Sequence, residues 1–322
     1  MKAAVASEQG LVIREVPKPS PKANEVLVKV RAAALNRADV GQATGARHGA
    51  SGGLGAVLGM EFAGEIEAVG AEVKSGFKPG DRVTCSGAGA WGEYAATDWG
   101  RVNPLPKGLD YVQAVTLPIA LLTMHNAVVT NGRLRAGEAV LIQGASSGVG
   151  LMAMQIAKAK GARLVIGTST NTERRERLAE FGADLALDSQ HPSWPDQAMK
   201  ATGTGVDLIV DQVSGGVMND NMKACAILGR IVNVGRLGGT DGPFDFNLHA
   251  LKRIDYIGVT FRTRSLEEVR EIARLMRDDI WHFVEDGTLR LPIDRKFPLD
   301  EAPAALDYMK ANRHFGKIVL TV

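Results

Sequence analysis

The chain has little of several things. Only two of its 322 residues are cysteine, Cys85 and Cys225. They stand far apart and offer neither a disulfide framework nor a cysteine-rich zinc site. Charge of neither sign accumulates: 38 Lys and Arg face 36 Asp and Glu, with no long run of either kind. Nothing here supports nucleic acid or an anionic membrane as main partner. No uninterrupted apolar run has the length of a membrane span. The start, Met1-Lys2-Ala3-Ala4-Val5, turns polar at Ser7-Glu8-Gln9, too soon for a signal peptide. The expectation is a soluble, cytoplasmic protein. Nucleophilic motifs are also missing. Six histidines are present (His48, His125, His191, His249, His282, His314), none in a recognisable catalytic pattern or Ser/His/Asp triad.

What is present is 45% hydrophobic content, enough for a real core in two domains of ordinary size. Residues 1–105 read as β-rich. Val26-Leu27-Val28-Lys29-Val30-Arg31 alternates as a half-buried strand does, and Phe62 to Val69 is similar. Lys78-Pro79-Gly80-Asp81 is a turn signal. From Pro118, placed to begin a helix, strand and helix patterns alternate. Strands are expected at 139–143, 163–168, 206–210, 230–234 and 256–260, with Leu185-Ala186-Leu187 as a short extra one. Helices are expected at 149–160, 172–181, about 216–226 and 265–286. Such alternation implies right-handed crossovers and a parallel sheet. From about 288 the rhythm breaks at Pro292, Pro298 and Pro303. Ile318-Val319-Leu320 reads as a last strand that returns to the first domain.

The most informative stretch is Val140-Leu141-Ile142-Gln143-Gly144-Ala145-Ser146-Ser147-Gly148-Val149-Gly150. A strand that ends in a glycine-rich turn and opens a helix aims backbone N–H groups at one point, where helix-end partial charge is positive. The strict G-x-G-x-x-G is not met, because Ala145 and Ser147 stand at its first two glycine positions. Gly150 holds the third, where helix and strand pack closely. The setting after a strand, before a helix and ahead of a second strand suits a dinucleotide pyrophosphate. A turn without a ligand is the plainer alternative.

The second strand ends in Gly167-Thr168-Ser169-Thr170-Asn171-Thr172, with no acid until Glu173. An NAD site places a carboxylate there for the ribose 2′-OH. Hydroxyls and guanidinium groups suit a 2′-phosphate instead, so NADP(H) is favoured, with Arg174 as a ligand. Arg174 and Arg175 read equally well as a solvated helix face beside Glu173 and Glu176. The fifth strand ends in Val234-Gly235-Arg236-Leu237-Gly238-Gly239. Ligands of open parallel sheets lie beyond the strands' carboxyl ends, which makes Gly235, Arg236 and Leu237 expected cofactor neighbours. An ordinary glycine-rich turn is the alternative.

Together these segments resemble the medium-chain dehydrogenase/reductase superfamily, in particular its zinc-independent quinone oxidoreductases. The carriers are Ala32 to Asp39, Leu58-Gly59-Met60-Glu61-Phe62-Ala63-Gly64, Phe77 to Val83, Gly92-Glu93-Tyr94-Ala95, the Ala-Ser-Ser-Gly-Val-Gly turn and Gly316 to Leu320. The resemblance implies an α/β fold of two parts. One is a GroES-like β-barrel domain of residues 1–118 and 288–322, binding substrate. The other is a Rossmann doubly wound parallel-sheet domain, 119–287, binding NADPH. It also implies a homodimer. Where zinc alcohol dehydrogenases of the superfamily carry a Cys and a His, this chain has Asn36 and Met60, neither a plausible zinc ligand. The implied activity is therefore a zinc-independent, NADPH-dependent reduction of quinones or α,β-unsaturated carbonyls, which need less polarisation than a plain carbonyl. An enoyl-thioester reductase and an NADPH-binding protein with little turnover are the alternatives.

By the same resemblance Asn36 lines the nicotinamide and substrate pocket, Thr123 approaches the nicotinamide end, and Phe261 reaches the same pocket. The plainer alternatives are an Asn36 that satisfies local backbone at a strand end and a Thr123 hydroxyl bonded to the preceding helical turn. Ser146, Ser147, Gly148, Val149, Gly150, Thr168, Ser169 and Thr170 complete the expected cofactor contacts. One departure stands out. Relatives often carry a Tyr after the position of Gly45, whereas this chain runs Arg47-His48-Gly49-Ala50-Ser51-Gly52-Gly53-Leu54-Gly55. That segment is expected to be a mobile lid, with Arg47 either meeting an anionic substrate or standing in solvent. Ser265 is expected to cap the long helix, with Glu268 three residues on.

Overall fold

Val140, Leu141 and Ile142 are fully buried, and their strand, Ala139–Ile142, is the first of a six-stranded parallel sheet. The computed structural model describes residues 1–49 and 51–322. Across the sheet the strands are Leu185–Leu187, Leu164–Thr168, Ala139–Ile142, Val206–Asp211, Cys225–Asn233 and Asp255–Gly258. Numbered along the chain, that order is 3-2-1-4-5-6, with every neighbour parallel. The direction of winding reverses between the first and fourth strands, the switch point beyond which such sheets hold ligands.

The expected crossovers are present, with shifted ends. The first helix is Gly148–Ala159. The span 172–181 is α-helical only to Glu176 and tightens to a 3₁₀ turn over Arg177–Phe181, stopped by Gly182 at φ 95°. The helix expected at 216–226 is Met218–Ala224, because the fifth strand begins early, at Cys225. Two helices had no clear periodic signal, Trp194–Thr202 and Phe246–Lys252. Trp194 anchors the first of them, buried in the core that holds Leu141, Ile166 and Ile209.

Pro118 does open a helix, Pro118–Met124, which widens into a seven-residue π-helical stretch, His125–Asn131. The Asn131 amide closes the wide turn, donating to the Asn126 backbone oxygen at 2.8 Å and to its Oδ1 at 3.0 Å. By length and composition alone Tyr111–Asn131 is apolar enough to cross a membrane, although Gln113, Thr116, Thr123, His125 and Asn126 interrupt its apolar residues. Yet 72% of its apolar window is buried within the protein, the pattern of a core helix.

A second large sheet has seven strands. Its order is Ile293–Pro298, Lys317–Thr321, Glu25–Ala34, Glu61–Val69, Arg82–Ser86 and Val102–Pro104, with Tyr94–Asp98 also pairing to Glu25–Ala34. All pairs are antiparallel except Ile293–Pro298 with Lys317–Thr321. The returning last strand places Val319–Leu320–Thr321 against Ala34–Ala33–Ala32. Phe62, Trp91, Leu35, Leu58 and Ile66 are among the largest fully buried side chains and share one hydrophobic core. The tail also holds a helix, Ala302–Lys310, whose Pro303 lies in the first turn, where proline costs nothing.

The chain divides into two compact units. Unit 1 is Met1–Ile119, Phe261–Glu285 and Leu291–Val322; unit 2 is Ala120–Thr260 and Asp286–Arg290. The expected Rossmann boundary at 287 had placed the long helix, Leu266–Glu285, in the other unit. Its side chains explain the difference. Arg270 grips the Asp98 carboxylate through Nε at 2.9 Å and Nη2 at 2.6 Å, and lies 4.9 Å over the Trp99 ring. Arg277 adds a donor to the Gly100 carbonyl at 3.3 Å. The helix start is capped as expected: the Glu268 N–H donates to Ser265 Oγ and the Ser265 N–H to Glu268 Oε2.

Candidate functional site

The turn in unit 2 is built by hydrogen bonds within itself. Gly144 takes a left-handed φ of 68°. Ser147 caps the helix, its Oγ accepting the Gly150 N–H at 3.0 Å. Its hydroxyl hydrogen has two acceptors in reach, the Gly144 carbonyl at 3.0 Å and Gln212 Oε1 at 2.9 Å. The N–H groups of Gly148 and Val149 open the helix and have no acceptor inside it. Gly150 is required by space: a Cβ there would stand 2.7 Å from Ala145 Cα, Ala145 O and Gly144 O. The fit to a diphosphate is good, since the turn offers N–H groups, hydroxyls and no carboxylate.

The second strand end departs from expectation at one residue. Thr168 is fully buried, and its hydroxyl is spent on the turn. It donates to Gln143 Oε1 at 2.7 Å and accepts the Gly144 N–H at 3.1 Å. Thr168 therefore braces the turn from beneath and cannot serve a 2′-phosphate. Ser169 Oγ meets Ser146 Oγ at 3.2 Å, and Thr170 is exposed. Arg175 is tied down by the Ser169 carbonyl at 2.9 Å and Asp188 at 3.1 Å. Arg174 is half-buried, with its N–H bound to Asn171 Oδ1 at 2.9 Å. No acid stands between Thr168 and Thr172.

Beneath the turn runs a buried polar chain that sequence reading missed. Gln143 Nε2 donates to Asn221 Oδ1 at 2.7 Å, and Asn221 Nδ2 donates to Asp211 Oδ2 at 3.1 Å. Asp211 Oδ1 accepts the Val213 and Ser214 N–H groups at 2.8 and 2.9 Å. Burial pushes the Asp211 carboxyl up, and those N–H donors pull against it. They hold Ser214 at φ 58°, ψ −153°, a conformation nearly reserved for glycine. Ser214 Oγ donates to the Gly235 carbonyl at 2.7 Å. Glycine is required at 235 by the backbone of Gln212, since a Cβ would lie 2.5 Å from the Gln212 carbonyl oxygen. Arg236 and Leu237 are exposed, and Arg236 lines a cavity of about 420 Å³ with Ser214, Asn233 and Tyr256. The signal for these residues was their place at strand ends, where Asp211-Gln212 ends the fourth strand.

Unit 1 holds Asn36 and Phe261, and unit 2 holds the other expected contacts, including Thr123 on the last turn before the π-helical stretch. Asn36 stands just before the short helix Arg37–Gln42. Its Nδ2 donates to Glu61 Oε1 at 2.8 Å, and its Oδ1 accepts from Lys317 Nζ at 3.1 Å. Lys317 also reaches Glu61 Oε1 directly and the Leu35 carbonyl at 3.0 Å. Glu61 Oε2 takes the Ile119 N–H at 2.9 Å. The side chains of Lys317 and Glu61 are 5% and 0% exposed, so this is a fully interior ion pair. Sequence reading found Asn36 alone. Among the described residues no group of three or more His, Cys, Asp or Glu is placed to hold a metal.

Asp39 belongs to the same cluster. It is fully buried, its Oδ2 accepts the Asn36 N–H at 2.7 Å, and its Oδ1 has no partner. Burial raises the carboxyl to about 7; the Asn36 N–H and Lys317 pull it down, and Glu61 pushes it up. Between pH 4 and 7 the folded chain thus keeps a proton that the unfolded chain has released. Stability from this group is full below pH 4, falls as pH rises to 7, and is flat above. Asp39→Asn should erase that slope. Relative to the parent, the variant should gain on the order of a few kcal/mol between pH 4 and pH 8 in urea titrations. Parallel pH curves for the two proteins would contradict it.

The expected lid is a small hairpin. Arg47–His48 pairs with Ser51–Gly52, and Ala50 lies outside the described residues. Gly52 takes φ 86°, and a Cβ there would stand 2.5 Å from the Ala46 carbonyl. Gly49 lies so close to the Arg262 backbone that a Cβ would approach Arg262 O to 2.9 Å. Arg47 is exposed.

A 3-2-1-4-5-6 parallel sheet with this turn, following an antiparallel unit closed by the chain's last strand, defines a two-part dehydrogenase. A family model described as "Alcohol dehydrogenase GroES-like domain" matches residues 22–107, and one described as "Zinc-binding dehydrogenase" matches 148–278. Quinone oxidoreductase of Mus musculus is 32% identical over 314 residues, covering 95% of this chain and 92% of its own length. Mycocerosic acid synthase-like polyketide synthase of Mycobacterium tuberculosis is 31% identical over 304 residues, which are 94% of this chain but 14% of that protein. Among solved structures, an alcohol dehydrogenase superfamily protein from Novosphingobium aromaticivorans superposes with a TM-score of 0.89 at 31% identity, over 100% and 99% of the two chains. The chain belongs to the medium-chain dehydrogenase/reductase superfamily, among its quinone oxidoreductase-like members. It is an oxidoreductase.

Proposed function

We propose that the protein is an NADPH-dependent, zinc-independent reductase of quinones or α,β-unsaturated carbonyls. The observation that carries this reading is the turn closed by Gly150, followed by a strand end without a carboxylate. Its full-length likeness to a quinone oxidoreductase supports the acceptor class. When bound, NADPH supplies a hydride from its nicotinamide C4 to the electron-poor acceptor. The chain's own part is to hold the diphosphate on the helix N-terminus, to receive the 2′-phosphate near Arg174, and to donate from Asn36 to the acceptor oxygen. Zinc independence is supported by what stands at Asn36. The ammonium of Lys317 already supplies the positive charge that neutralises Glu61 there.

The test is steady-state NADPH oxidation with 1,2- and 1,4-quinones, alkenals and an enoyl-CoA. Turnover of a quinone or alkenal is expected. Tight NADPH binding with no oxidation by any acceptor would sink the reading, and one tightly bound zinc per chain would sink its metal-free part. The polyketide synthase relative favours a second reading, reduction of enoyl thioesters, which a marked preference for the enoyl-CoA would select. Arg174→Ala should raise the NADPH dissociation constant about tenfold, the value of one charge-assisted hydrogen bond, and leave NADH unchanged. Equal losses for both nucleotides would remove Arg174 from the phosphate site.

The homodimer is part of the same proposal. Asp255–Gly258 is an edge strand of the parallel sheet. Phe246, Leu251, Ile227, Leu228 and Tyr256 are exposed beside it or on neighbouring elements, with Phe244 packed on Phe246 at 4.9 Å. An uncovered edge with apolar side chains favours pairing with a second copy. Light scattering should give twice the 34.2 kDa chain mass, and Leu251→Glu with Phe246→Glu should shift it toward the monomer.

A further inference from the structure

We infer that Lys317 and Glu61 are positioning residues, which lock the amide of Asn36 in one orientation and leave a single N–H for the substrate's oxygen. The inference rests on the reductase reading and goes one step deeper into the same site.

The orientation of an asparagine amide normally has to be assigned from its neighbours. Here the neighbours leave one choice. A carboxylate only accepts and an ammonium only donates. Nδ2 therefore faces Glu61 Oε1 at 2.8 Å and Oδ1 faces Lys317 Nζ at 3.1 Å. Turning the amide over would set its oxygen against the carboxylate and its NH₂ against the ammonium. In a fully buried pair such a double clash is prohibitive. The two charges are themselves anchored, Lys317 by the Leu35 carbonyl and Glu61 by the Ile119 N–H. Nδ2 carries a second hydrogen that neither partner uses. A carbonyl or quinone oxygen that gains negative charge as hydride arrives needs a fixed donor of this kind. The ion pair supplies no proton and touches no substrate; it acts through Asn36.

The experiment compares Asn36→Ala in the parent and in the neutralised pair Glu61→Gln/Lys317→Met, which leaves no buried charge unpaired. In the parent, Asn36→Ala should lower kcat on the order of 10²-fold, with the KM for NADPH unchanged. The double variant should already have lost most of that activity, and adding Asn36→Ala should cost less than about twofold. Glu61→Gln/Lys317→Met turning over like the parent, or equal Asn36→Ala losses in both backgrounds, would overturn the inference. So would parental kcat in Asn36→Ala itself.

A second measurement needs no turnover. The side-chain amide hydrogens of Asn36, assigned by their loss in Asn36→Asp, should exchange slowly in the parent and quickly in the double variant. Equal exchange rates would overturn the clamp. Failure of every acceptor would overturn the reductase reading while the exchange rates still decide the clamp.

Discussion

Gly150→Ala should cost the protein about 3 kcal/mol and nearly all of its dinucleotide binding. Alanine is favoured over glycine inside a helix by about 1 kcal/mol, so propensity alone predicts a gain. Space reverses the sign. The added methyl would stand 2.7 Å from three backbone atoms, Ala145 Cα, Ala145 O and Gly144 O, none of which can rotate away. Helix Gly148–Ala159 would have to lift from the strand, at an overpacking cost of about 3 kcal/mol. Its first N–H groups would leave the phosphate site. Loss of two such bonds, each about 1.5 kcal/mol, weakens binding of a nicotinamide dinucleotide on the order of 10²-fold. Urea unfolding and nucleotide fluorescence titration read the two effects. Gly216→Ala is the control, because its Cβ would meet nothing within 4 Å. A Gly150→Ala protein as stable as Gly216→Ala would refute the packing account.

Lys317→Ala is the second large effect. An exposed ion pair is worth at most about 1 kcal/mol, but removing one member of a buried pair strands the other charge and costs about 3–5 kcal/mol. Glu61 is fully buried and would keep only the Asn36 Nδ2 and Ile119 N–H donors. At about 2–4 °C per kcal/mol for a domain of this size, the melting point of unit 1 should fall by roughly 10 °C. Adding Glu61→Gln should recover most of the loss, since the stranded charge is then gone. A Lys317→Ala variant within about 1 kcal/mol of the parent would show that water reaches the pair.

The two units were unequally legible in the sequence. The parallel sheet was read correctly strand by strand, because its strands are short apolar runs separated by helices or turn residues. Gly150 was read from a local pattern, and its clash distances give the same reason. The Trp194–Thr202 and Phe246–Lys252 helices were missed because each is only two turns long and opens on aromatic rather than periodic residues. Helix Ala302–Lys310 was hidden by Pro303, taken as a break although proline fits a first turn. Thr168 was misplaced for a different reason: sequence shows a hydroxyl at the strand end but not that two buried partners consume it. Of the cluster around Asn36, only Asn36 itself was legible. Lys317 and Glu61 are 256 positions apart, and only the return of the last strand brings them together. The strained Ser214 was equally invisible, since nothing in Asp211-Gln212-Val213-Ser214 announces a conformation that glycine would take more easily.

That last strand also sets a timetable for synthesis. On one edge, residues 32–34 of strand Glu25–Ala34 find their partners only at 319–321, while Ala32 and Ala33 pair on the other edge with Ala63 and Phe62. At about 5–20 residues per second, the intervening length takes roughly 15–60 s to translate. All of unit 2 is made within that interval and can fold while unit 1 waits with one edge of its central strand uncovered. Throughout, Glu61 lacks its cation and can stay in contact with water. The nascent chain is thus most open to misassociation in unit 1, and the lysine that neutralises its buried acid leaves the ribosome 256 residues after the acid itself.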